Sequence, residues 1–191
     1  CGRCIFERRL SSITKDSACC LTLSMLKKEP EDGKVHDWRE VIKQCRGSRF
    51  APLPPPAFEE MMVAGMAREE AEAGTGFRFT NGKDATAVCI PQYREAFLRL
   101  MRMDGMLGFN RCGWGDEQVR VLAAALVYAQ DNGATVQASS LRLGANRLTD
   151  AALPPLAEAI AAGALPGALL CRFGASAAVG AWSGGASRLR C

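Results

Sequence analysis

From Leu141 to Ile160 the spacing of apolar positions changes period partway along the chain. Leu141 and Leu143 flank Arg142, the period-two spacing of a strand with one buried face. Asn146 and Leu148 follow, then Asp150. Leu153, Leu156, Ala157 and Ile160 come next at i, i+3, i+4 and i+7, one apolar helical face. The pattern predicts a short strand, a turn and a helix, with Asp150 as N-cap and Gly163 as the left-handed stop. The helix has a counterpart upstream. Asp116, Val119, Leu122 and Leu126 precede Asp150, Leu153, Leu156 and Ile160 by a constant 34 positions. In this earlier copy Asn110 takes the place of Asn146, Gly105 that of Leu141 and Cys112 that of Leu148. Two extra residues within Gly113-Trp114-Gly115 lengthen its turn, and Asn132-Gly133 stops its helix.

Pro91 opens a third helical pattern, in which Tyr93, Ala96, Phe97, Leu100 and Met101 share a face. It reads as the helix of a preceding, half-formed repeat.

The order L-x-L-x-x-N-x-L, Asp, apolar-faced helix resembles the ribonuclease-inhibitor-like leucine-rich repeats, a family that includes the repeat domains of NOD-like receptors and the Ran GTPase-activating protein. Leu107, Asn110, Leu141, Leu143, Asn146, Leu148 and the two helical faces carry the match, which covers residues 88–170. The resemblance implies an α/β fold: a short leucine-rich-repeat solenoid of two strand–helix repeats and a preceding helix, behind a mainly helical or irregular N-terminal segment. Asn110 and Asn146 would be the structural repeat asparagines, bonding backbone groups that the turns leave unpaired. The concave strand face, with Met106, Gly108, Phe109, Ser140, Arg142, Gly144 and Ala145, would bind a protein partner. Such a scaffold serves unrelated activities, so it does not name that partner.

Upstream of the repeats the organisation is looser. Residues 1–50 form a Cys-containing basic segment, with a short helix capped by Asp37 and a stretch from Ser17 to Lys28 that periodicity leaves open between helix and strand. Residues 51–87 bring a Pro-rich linker (47–56 with its approach), a helix over 57–73 and a loop or hairpin over 74–83. Met61, Met62, Val63 and Met66 would dock this helix on the open end of the solenoid. The Ala/Gly/Ser-rich tail, 171–191, lacks periodicity and is expected to be disordered.

Composition fits a globular protein, with 48% hydrophobic and 23% charged residues in a chain of 191. The net charge of +4 sits entirely in residues 1–50, which hold 11 Lys/Arg against 7 Asp/Glu. Because acids interleave with the bases, nucleic acid is not an expected partner. The start of the chain lacks a secretory apolar stretch, and Pro154, Pro155, Glu158 and Pro166 interrupt the longest apolar run. An intracellular, cytoplasmic protein without a membrane partner is expected, and the first residue, Cys1, suggests a fragment or processed product.

Nine cysteines argue against a fully paired disulfide framework. Cys89, Cys112 and Cys171 read as small core hydrophobes. Cys1, Cys4, Cys19, Cys20, His36 and Cys45 could supply soft ligands to zinc, but adjacent Cys19 and Cys20 do not make a zinc knuckle, so no metal or cofactor is expected. Gly82-Lys83 lacks the spacing of a phosphate loop, and a single histidine removes most Ser/His and Cys/His schemes. The reading is a non-enzymatic interaction module. The alternatives are a GTPase-activating regulator resembling the Ran protein, or a zinc-binding N-terminal module fused to repeats.

Overall fold

The computed structural model describes residues 2–15, 20–21, 25–26, 37–45, 49–81, 83–102, 105–134, 136–165 and the backbone of 170–172. Helices dominate. In chain order the elements are α1 (Gly2–Thr14), α2 (Trp38–Cys45), α3 (Pro55–Ala71), α4 (Ile90–Met101), β1 (Gly105–Gly108), α5 (Asp116–Asp131), β2 (Ala138–Arg142), α6 (Leu153–Ala161) and β3 (Leu170–Arg172). A π-helical turn, Ala85–Cys89, leads into α4, and a 3₁₀ turn, Asp150–Ala152, leads into α6.

The expected leucine-rich-repeat solenoid is overturned. In a solenoid each unit touches only its neighbours in the stack. Here the strands form one small parallel sheet in the order β1-β2-β3, and α1, α3 and α4 pack on one another and share a single core with it. An aromatic chain ties these helices together. The Phe58 ring of α3 stacks on Tyr93 of α4 at 3.8 Å, and Phe97 meets Tyr128 of α5 edge-on at 5.9 Å. The Tyr93 hydroxyl donates to the Leu53 carbonyl at 2.8 Å, and burial pushes its pKa up.

Local patterning accounts for several elements. Pro55 starts α3, and Phe58, Met62 and Gly65 form its buried face. Gly65 has a packing reason: a Cβ there would overlap the Phe77 ring. The Met-rich face of α3 lies against α4, not the end of a solenoid; Met62 is buried while Val63 is exposed. In α4 the expected face holds, with Tyr93, Phe97 and Met101 buried.

Other elements depart from expectation. Helix α1 covers the basic N-terminal stretch, packing Ile5, Phe6, Leu10 and Ile13 on the core. Phe77 and Phe79, in the stretch expected as a loop or hairpin, are buried on either side of exposed Arg78. The Phe77 amide donates to Gly65 and the Arg78 carbonyl accepts from Gly2, so this extended segment threads between α3 and α1. In the expected linker, Arg49, Ala51, Pro52 and Pro55 are buried. Asp150 is not the cap. Thr149 takes that place, its hydroxyl accepting from the Ala151 amide at 3.3 Å. Gly133 and Gly163 close α5 and α6 with φ of 70° and 75°, conformations that favour glycine. Cys89 and Cys112 are buried. Most of the Ser17–Lys28 stretch, the side chain of Cys171 and the 173–191 tail lie outside the described residues.

Candidate functional site

Strand register defines the outer face of the sheet. Met106 pairs with Ser140, Leu107 with Leu141 and Gly108 with Arg142. Because side chains alternate, Leu107 and Leu141 point inward, while Met106, Gly108, Ser140 and Arg142 share the opposite row. Burial follows this division: Leu141 is fully buried, Met106 is 51% exposed and Arg142 is exposed. A Cβ on Gly108 would meet nothing but the end of Met106, at 3.9 Å, so β1 raises no wall beside Arg142. In the backbone register Arg142 faces Arg172 of β3.

Phe109, expected on this face, is not there. It is 1% exposed and belongs to the inward set with Leu143. The physical reason is register. With Leu107 opposite Leu141, the 34-residue offset of the helices holds for the strands and turns as well, so no residues are inserted. Gly144, not Asn146, therefore corresponds to Asn110; Cys112 corresponds to Asn146, and Trp114 to Leu148. The backbone agrees. Arg111 and Ala145, 34 apart, both take left-handed conformations, with φ of 54° and 55°. Such conformations are uncommon outside glycine and persist where surrounding bonds hold them.

Those bonds come from the two asparagines, which do different work. The Asn110 carbonyl oxygen Oδ1 accepts from the Gly144 amide at 2.8 Å, and the Gly144 carbonyl accepts from Arg111 at 3.0 Å. Asn146 is a crosslink. Its Oδ1 accepts from the Cys112 and Trp114 amides at 2.9 and 3.2 Å, and its amide nitrogen donates to the Phe109 and Leu143 carbonyls, both at 2.8 Å. Replacing Asn146 with Leu would leave four backbone groups without these partners and is expected to destabilise the fold on the order of 3 kcal/mol. Asn146→Asp, which keeps the acceptor, should recover part of that. Urea midpoints decide it; an unchanged midpoint for the Leu variant would show the bonds to be dispensable.

The turns that follow β1 and β2 carry the exposed Arg111 and Arg147, whose amides donate to the Gly144 and Trp114 carbonyls. Among the described residues neither these two nor Arg142 has a carboxylate partner. The nearby carboxylate of Asp116 is engaged, accepting from the Thr149 hydroxyl at 2.6 Å and its amide at 2.8 Å, bonds that hold its pKa below the ordinary range. Of the expected face residues, the structure thus brings together Met106, Gly108, Ser140 and Arg142, with Gly144 and Ala145 in the adjoining turn.

Two residues behind this surface are missing from the sequence-based expectations. Arg49 is 4% exposed. Its guanidinium donates to the carbonyls of Ser12 (2.7 Å), Ile13 (2.7 Å) and Gly108 (2.5 Å), clamping the end of α1 to the end of β1. It also lies 4.3 Å over the Phe109 ring. Trp114, the largest fully buried side chain among the described residues, stacks on Phe109 at 4.7 Å and donates from its indole nitrogen to the Arg49 carbonyl at 2.6 Å. Trp114 stands in the stretch expected as a turn insertion; the constant 34-residue offset was the signal that could have placed it inward.

The zinc candidates are only partly described. Cys4 is exposed, Cys20 half-buried and Cys45 buried, while Cys1, Cys19 and His36 lie outside the described residues. Among the described residues no group of three or more His, Cys, Asp or Glu side chains could hold a metal ion. None of the described helices is long and apolar enough to cross a membrane. No known protein family, curated protein or solved structure matches the chain.

Proposed function

We propose that the chain is a protein-binding module that docks its partner on the outer face of β1 and β2, with Arg142 at the centre. The observation that carries this reading is Met106, a large exposed apolar side chain, one strand away from a guanidinium without a carboxylate partner among the described residues. A methionine beside an accessible arginine, over backbone bare of side chain at Gly108, is a combination that interfaces favour. The partner's chemistry follows: an acidic group for Arg142, with Arg111 and Arg147 at the rim, and an apolar side chain for Met106. The GTPase-regulator alternative rested on the solenoid scaffold and has no other support.

A photo-crosslinking residue at Ser140 should capture a partner from cell extract that one at Glu158, on the exposed side of α6, does not. With that partner purified, Arg142→Ala should weaken binding by about 2 kcal/mol, roughly 30-fold. Glu158→Ala should change little, since an exposed charge contributes weakly. If the Glu158 change weakens binding and the Arg142 change does not, the helical side is the binding surface and this reading fails.

A further inference from the structure

Helix α1 carries a second pair of close positive charges. Arg8 and Arg9 are consecutive residues of α1, and both guanidiniums lie over the single ring of Phe50, at 4.3 and 4.1 Å from its centroid. The two guanidinium carbons are therefore no further apart than the sum of those distances. Arg8 is exposed, whereas Arg9 and Phe50 are half-buried. The adjacent carboxylate, Glu7, is taken by Arg3 at 3.0 Å. Among the described residues neither Arg8 nor Arg9 has an ion-pair partner.

The arrangement holds like charges together without neutralising them. Burial keeps the Arg9 guanidinium below its ordinary pKa; Tyr93 offsets part of this, and the charge of Arg8 adds to it. Both guanidinium carbons lie within cation–π reach of the ring, and a guanidinium engaged in this way still carries N–H donors for hydrogen bonding. A half-buried ring already approached by two cations is a poor platform for a planar base, so stacking recognition is disfavoured. What remains is a pair of forks suited to an oxyanion with several acceptor atoms.

We propose that Arg8 and Arg9, braced on Phe50, form a binding site for a phosphomonoester. The charge decides the class. A phosphomonoester carries about −1.5 to −2 at neutral pH and so matches two guanidiniums, whereas a carboxylate or a phosphodiester carries a single charge. The ligand could be a soluble sugar or polyol phosphate or the headgroup of a lipid, since the terminal group is the same. This site lies on α1 and stands independently of the sheet-face reading.

The test uses the full chain and two probes, glycerol 3-phosphate in solution and phosphatidic acid in phosphatidylcholine vesicles. Saturable binding of either at about pH 7.5 is expected, weakening severalfold at about pH 5, where the phosphate loses its second charge. Binding of the soluble probe alone assigns the site to a metabolite, and binding of the vesicles alone assigns it to a membrane lipid. Arg8→Gln combined with Arg9→Gln should reduce affinity at least about tenfold. Should the double variant fail to fold, exposed Arg8→Gln alone, checked by circular dichroism, is expected to lose affinity severalfold. The proposal is overturned if neither probe binds, if the folded variants bind like the parent chain, or if affinity is the same at both pH values.

Discussion

Replacing Arg49 with Met is expected to lower the stability of the chain by about 3–5 kcal/mol, the scale of leaving several buried carbonyl acceptors without a hydrogen bond. Methionine fills much of the arginine's volume, so a cavity is not the cause. The cause is the set of acceptors left behind: the carbonyls of Ser12, Ile13 and Gly108 would lose their charged donor in a site where Arg49 is 4% exposed. Each orphaned buried acceptor costs about 1–3 kcal/mol. Relief of the desolvation of the guanidinium offsets part of that sum. For a chain of this size the melting temperature should fall by roughly 10 °C. Arg49→Lys is the informative companion. It keeps the charge but lacks the planar fork that reaches three carbonyls at once, so it should recover only part of the loss. A Met variant melting with the parent chain, or a Lys variant restoring it fully, would show that the clamp between α1 and β1 contributes no stability.

Trp114→Ala should cost a similar amount, about 3–5 kcal/mol, for a different reason. The indole is 1% exposed and stacks on Phe109, so its removal opens a cavity that neighbouring rings can close only in part. It also removes the donor to the Arg49 carbonyl. Trp114→Phe separates the two effects, since it keeps an aromatic ring against Phe109 and loses the hydrogen bond; a loss of about 1–2 kcal/mol is expected. Because Arg49, Phe109 and Trp114 touch one another in turn, the Arg49→Met and Trp114→Ala effects should not add. A double variant whose denaturant midpoint reflects a departure from additivity of about 0.5 kcal/mol or more is expected. Simple additivity would mean that the two side chains act as separate supports.

How much of this was legible beforehand depended on whether the controlling forces are local. The faces of α4 and α5 could be read directly, because Tyr93, Phe97 and Met101, and Val119, Leu122 and Leu126, repeat at the pitch of a helix whatever surrounds them. The stops at Gly133 and Gly163 were legible for the same reason: a left-handed φ is a property of one residue. The outward placement of Arg142 also follows from its alternation with Leu141 and Leu143. Register does not. Aligning Asn110 with Asn146 required an insertion and turned Phe109 outward, and only strand pairing, which sets Leu107 against Leu141, showed that the two turns match without a gap.

Periodicity accounts for the apolar faces of the central helices and the short alternation around Leu141. The contacts that join these parts arise only in the folded chain. No pattern within Gly47–Pro56 marks Arg49 as buried, since its three acceptors lie 36 and 37 positions before it and 59 after it. A charged residue can enter a core only where distant carbonyls converge to receive it, and that convergence exists only once the chain has folded. The same holds for helix α1, whose basic sequence gains its place from the ring of Phe50 and the clamp of Arg49. It also explains why the chain is not a solenoid. Repeating segments alone would stack on their neighbours, but Phe58, Tyr93 and Phe97 add apolar surface that is buried only when the N-terminal helices fold into the same core.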